Sequence, residues 1–138
     1  MSTIFSKIVS GEIPSYKVAE SNEYLAFLDI QPISKGHVLV IPKNPTDYIF
    51  DIQDDEYLGL WMFAKLVAQG MKKVFDCNRI GVAVVGLEVP HTHIHLLPID
   101  KVSDMDFSRP KLSFTQEQMN QIAKDIREAV TEVTSRNA

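Results

Sequence analysis

The sequence predicts an α+β fold, namely a single domain with an antiparallel sheet of about five strands, one long central helix and a C-terminal helix. Short apolar segments bounded by Gly, Pro, Asn and Ser predict the strands. Longer segments with apolar residues three and four positions apart predict the two helices. The connections between the first three strands are too short for helical crossovers, so these strands are expected to pair antiparallel. The chain has 138 residues, which is the size of one domain.

Five segments have the length and composition of strands, with many β-branched and aromatic residues. Pro32 and Pro42 end the second and third of them, since proline cannot donate to a strand ladder. The predicted strands are residues 16–20, 24–29, 37–41, 79–85 and 91–99.

The central helix is predicted to follow an acidic stretch at residues 51–55 and to continue to about Phe75. Carboxylates are favoured at the positive N-terminal end of a helix, and two lysines lie near its other end, where cations are favoured. The last helix is predicted after Thr115, because Thr115 and Gln118 have the spacing of a capping box.

Composition excludes several classes of protein. Fourteen Lys and Arg stand against eighteen Asp and Glu, and this net charge of −4 argues against nucleic acid as a partner. No apolar run approaches the roughly 18 residues of a membrane span, and no secretory leader is recognisable at the N-terminus. The single Cys77 excludes an internal disulfide. We therefore expect no membrane partner and a cytoplasmic location.

Three of the four histidines, His91, His93 and His95, occupy alternate positions. In a strand these side chains would share one face. Burial of three adjacent imidazoles would require three separate hydrogen-bond partners, so the cluster indicates a function rather than simple core packing.

A metal site is one interpretation of this cluster. Alternate strand residues are roughly 6.6 Å apart, so two neighbouring histidines can share one ion, whereas the outer pair is about 13 Å apart. A further ligand would have to come from elsewhere, for example His37, and the chain has no cysteine pair.

Catalysis is the other interpretation, since a neutral imidazole can attack phosphorus and a protonated one can donate to the leaving group. Clustered imidazoles are expected to form a mixed neutral and charged set that supplies positive charge for a phosphate.

The histidine segment, His91-Thr-His-Ile-His-Leu-Leu97, resembles the signature of the histidine triad (HIT) family of nucleotide hydrolases and transferases, and departs from it only at Thr92. Residues 25–43 are similar to a second family block, in which an aspartate precedes a Gly-His step. The resemblance covers about residues 3–99 of a single HIT domain, 1–138, and a helical extension follows at about 114–134.

The resemblance implies a role for each polar residue of the site. His93 would be the nucleophile that takes the nucleotidyl group on its α-phosphorus, and His95 would contact the phosphate and help to protonate the leaving group. His91 would orient His93, mainly through its main chain, and His37 would complete the imidazole network. Asp29 would accept hydrogen bonds from the ribose hydroxyls. The base pocket would be lined by Ile4, Phe5, Ile8, Ile13, Ile30 and Leu39.

The chain also departs from the family pattern. Leu87 and Glu88 stand where an amide and a hydroxyl would help to hold the phosphate, and a carboxylate there is unfavourable unless it meets a cationic leaving group or a protonated histidine. Thr3 and Ser6 stand where some members have a zinc-binding cysteine pair, so that structural zinc site is expected to be absent.

These inferences predict a nucleotide hydrolase of the Hint-like branch, which acts on purine nucleoside phosphoramidate-type substrates without a cofactor or a metal ion. The alternatives are a dinucleoside polyphosphate hydrolase, a zinc-dependent hydrolase and a nucleotide-binding or scaffold protein with little turnover. We also expect a homodimer, because the central helix carries two apolar stripes and its Trp61 and Met62 are residue types enriched at interfaces. The first stripe consists of Tyr57, Leu60, Trp61, Ala64, Val67 and Met71, and the second of Leu58, Met62 and Leu66. The alternative is that the C-terminal helix covers the second stripe within one chain.

Overall fold

The computed structural model describes residues 2–137 and contains three α-helices and five strands in this range. Residues 1 and 138, the ends of the predicted domain, lie outside it. In chain order the elements are α1 (Ile4–Ser10), β1 (Lys17–Glu20), β2 (Tyr24–Leu28), β3 (Val38–Pro42), α2 (Asp54–Val74), β4 (Arg79–Ala83), β5 (Ile94–Ile99) and α3 (Gln116–Asn137). Two short 3₁₀ turns, Ile49–Asp51 and Val102–Met105, precede α2 and follow β5.

The strands form one sheet in the order β1-β2-β3-β5-β4, and every neighbouring pair is antiparallel. The predicted α+β class and strand number are therefore confirmed. β5 lies between β3 and β4, and His95 is paired with Leu39 of β3. Because directly opposed residues share a face, His95 and Leu39 point to the same side of the sheet.

Each face of the sheet packs against different helices. One face forms the larger core with α2 and α3, to which Ile94 and Leu96 of β5 belong. The other face forms a smaller core with α1, whose buried residues are Phe5, Ile8, Leu25, Phe27, Leu39 and Ile41. Since β-strand side chains alternate, His95 points away from the core formed with α2 and α3 and lies on the α1 side of the sheet.

The two long helices begin and pack as their sequences predict. Three acidic residues occupy the first turn of α2, and Thr115 and Gln118 form the predicted capping box of α3, with N–H to side-chain oxygen distances of 2.8 and 3.1 Å. A Cβ added at Gly70 of α2 would lie 2.6 Å from Cγ2 of Val130 in α3. Glycine at this position therefore allows the two helices to approach closely.

α3 does not cover the second apolar stripe of α2. In the first stripe Leu60, Val67 and Met71 are inaccessible to solvent. In the second stripe Leu66 is half-buried, whereas Leu58 is 62% and Met62 63% exposed. The alternative in which the C-terminal helix covers both stripes within one chain is therefore wrong.

Other predicted boundaries need smaller corrections. The strand predicted for residues 91–99 begins at Ile94, so its first three residues are irregular, and the strand predicted for 79–85 ends at Ala83. Within residues 2–137, no helix combines the length and the apolar character that a bilayer crossing requires.

Candidate active site

A cavity of about 590 Å³ lies on the side of the sheet that α1 covers. It is located at the edge of the sheet where β2 ends and β3 begins. Its volume is in the range of small-molecule sites, roughly 300–1,000 Å³. The structure brings eleven of the twelve predicted site residues to its wall. They are Ile4, Phe5, Ile8, Ile13, Asp29, Ile30, His37, Leu39, Glu88, His93 and His95.

His91 is the exception. It is fully buried, does not line the cavity, and its Nε2–H donates to the carbonyl oxygen of Pro42 at 2.7 Å. The prediction that the three histidines share a strand face is wrong for His91, because β5 begins only at Ile94 and strand alternation does not apply before it. Burial lowers the pKa of His91.

Thr92, the departure from the family signature, has a structural role in this irregular segment. Its backbone N–H and its hydroxyl both donate to the carbonyl oxygen of Thr46, at 2.7 and 2.8 Å. The segment before β5 is thus attached to the loop after β3, and this fixes the backbone on both sides of Thr92.

The ring of His93 is oriented by the main chain. Its Nδ1 lies 2.8 Å from the carbonyl oxygen of His91, and its ring packs edge-on against Phe5 with centroids 5.0 Å apart. Since a carbonyl oxygen can only accept, Nδ1 carries the proton and Nε2 carries the lone pair. His93 therefore presents a basic, nucleophilic Nε2.

A second chain of hydrogen bonds assigns the protons of His37 and His95. The backbone N–H of Ile33 donates to Nδ1 of His37 at 3.3 Å, so the His37 proton lies on Nε2. That Nε2–H donates to Nδ1 of His95 at 2.9 Å, so the His95 proton lies on its own Nε2. His37 enters this arrangement from a turn at Gly36, where φ is +87° and a Cβ would overlap the Phe75 ring.

Both members of this pair are neutral at pH 7. Burial is the main cause that lowers the pKa of His37 to about 4, although the negative charge of Asp29 opposes the shift. Burial, followed by the nearby His37 and His93, lowers the pKa of His95 to about 3. The expectation that clustered imidazoles supply positive charge to a phosphate is therefore wrong for these two residues before a phosphate binds.

Asp29 lies at the mouth of the cavity, directly after β2. Its Oδ1 accepts from the N–H of Gln31 at 2.9 Å, and its Oδ2 lies 3.7 Å from Nε2 of His37. The carboxylate is fixed by this local turn yet remains partly exposed, which suits an acceptor for hydroxyl groups of a ligand.

The ligand atoms of Asp29, His37 and His95 lie within 4.8 Å of one another, and a group of this composition could hold a metal ion. The hydrogen-bond network does not suit that use. The N–H of Ile33 requires a lone pair on Nδ1 of His37, so the nitrogen that faces the group carries a proton. A metal ion at Nε2 would have to displace that proton. A neutral His37 would then carry its proton on Nδ1, directly opposite the N–H of Ile33, so that two donors would face each other.

A second possible metal site is the position at which some family members carry a zinc-binding cysteine pair. In this chain Thr3 and Ser6 occupy that position. Thr3 and Ser6 form the capping box of α1, in which Thr3 Oγ1 accepts from the Ser6 N–H at 3.1 Å and Ser6 Oγ accepts from the Thr3 N–H at 2.7 Å. Both hydroxyls cap the helix, so the residues present do not fit a zinc site.

Among the cavity residues that were not predicted, Phe107 and Lys111 come from a part of the chain that was not assigned to the site. They belong to the irregular segment between β5 and α3, which folds back across the site. The Phe107 ring packs edge-on against His95 with centroids 4.7 Å apart. An aromatic residue and a lysine inside an otherwise polar segment were the only signal in the sequence.

A family comparison agrees with the fold and the histidine cluster. The family model of the HIT domain matches residues 10–102, which include His37, Asp29 and the three clustered histidines. The chain therefore belongs to the HIT domain family.

Several known proteins are similar to this chain. A HIT-like protein of Borreliella burgdorferi is 34% identical over 131 residues, covering 89% of this chain and 94% of that protein. The adenosine 5'-monophosphoramidase HNT1 of Saccharomyces cerevisiae is 40% identical over 96 residues, covering 69% and 61%. The asymmetrical bis(5'-nucleosyl)-tetraphosphatase of Schizosaccharomyces pombe is 31% identical over 122 residues, covering 85% and 64%. The crystal structure of a HIT-like protein from Bartonella henselae superposes with a TM-score of 0.82 at 29% identity, covering 93% and 96%.

Proposed function

We propose that the protein is a nucleotide hydrolase that cleaves phosphoramidate-type derivatives of purine nucleoside 5'-phosphates through a covalent nucleotidyl-histidine intermediate on His93. One observation carries the proposal: the hydrogen bond from His93 Nδ1 to His91 O leaves the lone pair on Nε2, at the wall of a cavity of nucleotide size. The phosphoramidase name of the yeast relative supports the choice of substrate.

The mechanism has two halves. Nε2 of His93 attacks the α-phosphorus, the bond from phosphorus to the amine nitrogen breaks, and the nitrogen takes a proton as it leaves. His95 supplies that proton from its Nε2, because the anionic phosphate favours the uptake of one proton by the hydrogen-bonded pair of His37 and His95 once the substrate has bound. Water then attacks the same phosphorus and gives a proton back to His95, and His93 departs with its lone pair restored. The products are the nucleoside 5'-monophosphate and the amine.

Other residues of the cavity bind the nucleoside in this proposal. Asp29 accepts hydrogen bonds from the ribose hydroxyls, and the main chain at His91 holds the nucleophile in place. Glu88, which is exposed at the rim, faces a cationic amine leaving group. The base lies among the apolar side chains Ile4, Phe5, Ile8, Ile13, Ile30 and Leu39.

Two other functions have specific support. The tetraphosphatase name of the S. pombe relative favours hydrolysis of dinucleoside polyphosphates. Leu87, which is 88% exposed, and Glu88 favour a nucleotide-binding or scaffold protein with little turnover, because neither side chain holds a phosphate. Turnover of a fluorogenic adenosine phosphoramidate beside that of a dinucleoside polyphosphate distinguishes the three. Faster turnover of the second substrate, or no turnover of either, would exclude the phosphoramidate proposal.

We propose that the reaction needs no metal ion and no cofactor, and the proton assignment of His37 supports this view.

We also propose that the protein is a homodimer that pairs through α2 and the adjoining edge strand β4. Leu58, Met62 and Val82 are exposed on these elements, by 62%, 63% and 48%. A two-fold contact would bury the same apolar patch of both copies. The cytoplasmic location stays a prediction.

A further inference from the structure

The charges around the cavity are unfavourable for a phosphate. Two carboxylates, Asp29 and Glu88, line it, and Lys111 is the only lysine or arginine among residues 2–137 that does so. His37 and His95 add no positive charge that could attract an incoming phosphate, because burial keeps both neutral. An ionised phosphate therefore depends on Lys111 for attraction by a permanent cation.

Lys111 belongs to a strap, residues 107–112, that is anchored at both ends. At one end the Phe107 ring packs against His95, and at the other the N–H of Leu112 donates to the carbonyl oxygen of Pro32 at 2.7 Å. Pro32 lies three residues after Asp29, so the strap connects the imidazole pair to the loop that carries this carboxylate. The backbone of Lys111 is thereby held at the cavity wall.

The ammonium group of Lys111 is available for a ligand. Its one hydrogen bond within residues 2–137 goes to the carbonyl oxygen of Phe107, at a long 3.4 Å, and it forms no salt bridge with a described carboxylate. An ammonium group has three donors, so at least two of them can bind another group. Lys111, His37 and His95 line the same cavity, and the charge of Lys111 is one of the causes that lower the pKa of both histidines, so Nζ lies within electrostatic reach of the imidazole pair.

We infer that Lys111 is an anion-binding residue of the active site. Its Nζ binds a non-bridging oxygen of the substrate phosphate that lies between His93 and His95, in place of the weak bond to the Phe107 carbonyl. The strap thus supplies a permanent positive charge, which the imidazole pair lacks before a phosphate binds. The identification of the anion as a nucleotide phosphate rests on the proposed function.

The test compares two ligands that differ only in the phosphate, AMP and adenosine, by titration calorimetry of the full chain. In Lys111→Met the affinity for AMP should fall about tenfold, as expected for a charge-assisted hydrogen bond from an exposed lysine at the cavity wall, while that for adenosine stays within about twofold. Lys111→Arg should keep most of the AMP affinity. Lys124→Met, which removes the same charge from the exposed surface of α3, should change neither.

Three results would overturn the inference. Unchanged AMP affinity in Lys111→Met would show that the cation does not bind the phosphate. An equal loss for AMP and adenosine would show that Lys111 only maintains the shape of the strap. Failure of the unaltered chain to bind either AMP or inorganic phosphate would exclude an anion site altogether.

The same measurements separate this inference from the proposed hydrolysis. AMP is not cleaved in the assay, so a tenfold effect of Lys111→Met supports the anion site even in a chain without turnover. If the unaltered chain binds inorganic phosphate but not AMP, nucleotide hydrolysis is excluded, and the inference is decided by the phosphate affinity of Lys111→Met.

Discussion

Nε2 of His37 donates a hydrogen bond to Nδ1 of His95, and the two atoms are 2.9 Å apart in the buried part of the site. The relationship connects the turn before β3 to the middle of β5. Because Ile33 fixes the other nitrogen of His37, the direction of the whole chain of hydrogen bonds is determined. The pair is therefore a rigid, neutral unit, and several measurable properties follow from it.

The first prediction concerns stability against acid. Burial lowers the pKa of His37 to about 4 and that of His95 to about 3, whereas both imidazoles titrate near 6.5 in the unfolded chain. Between pH 7 and pH 5 the unfolded chain therefore takes up protons that the folded chain refuses. The stabilisation is complete above about pH 6.5, and the free energy of unfolding should fall by about 2 kcal/mol per residue on going to pH 5.

Chemical denaturation at pH 7 and pH 5 measures this fall. The range stays above the pKa of most carboxylates, so their protonation contributes little. His95→Gln should show a fall that is smaller by about 2 kcal/mol. An identical fall in both proteins would contradict the assignment of a buried neutral His95.

The second prediction concerns His93 as the nucleophile. His93→Ala should lose at least about three orders of magnitude in turnover, because residues that act as a unit are not replaced by their neighbours. Binding of AMP should persist, and no nucleotidyl-protein adduct should be trapped from the variant by acid quench and mass spectrometry. Full activity of His93→Ala, or an adduct on another residue, would exclude this assignment.

Much of this site could be predicted because its residues lie on regular elements or in motifs. His95, Leu39 and Phe5 follow from strand alternation and helical spacing together with the family resemblance, and the structure brings them to one cavity. The position of His91 was predicted wrongly because strand alternation was assumed for residues 91–93, which precede the start of β5 at Ile94. A sequence does not show where such an irregular segment joins its strand.

Phe107 and Lys111 could not be predicted for a different reason. They lie in a segment without periodicity, twelve and sixteen positions after His95. Their position depends on the packing of Phe107 against His95 and on a backbone hydrogen bond from Leu112 to Pro32, between residues 80 positions apart. Any residue except proline can donate such a bond, so no residue type marks it in the sequence.

The third prediction concerns metal ions. Turnover should persist after dialysis against a chelator, and elemental analysis should find no stoichiometric zinc, because Nε2 of His37 carries a proton and Thr3 and Ser6 cap a helix. Added zinc should not increase the rate. Loss of activity with the chelator and its recovery with zinc would support the metal interpretation of Asp29, His37 and His95.

The last prediction concerns assembly. Leu58 and Met62 lie four positions apart, so they are neighbours on one face of α2, and α3 leaves them uncovered. Sedimentation at low micromolar concentration should give a species near twice the chain mass of 15.6 kDa. Met62→Glu places a charge in the proposed contact of both copies and should shift the protein towards the monomer.

Val102→Glu is the matched control, because Val102 is 90% exposed on a 3₁₀ turn outside α2 and β4, and this variant should remain dimeric. A monomeric unaltered chain would exclude the homodimer, and a Met62→Glu variant that stays dimeric would assign the contact to another surface.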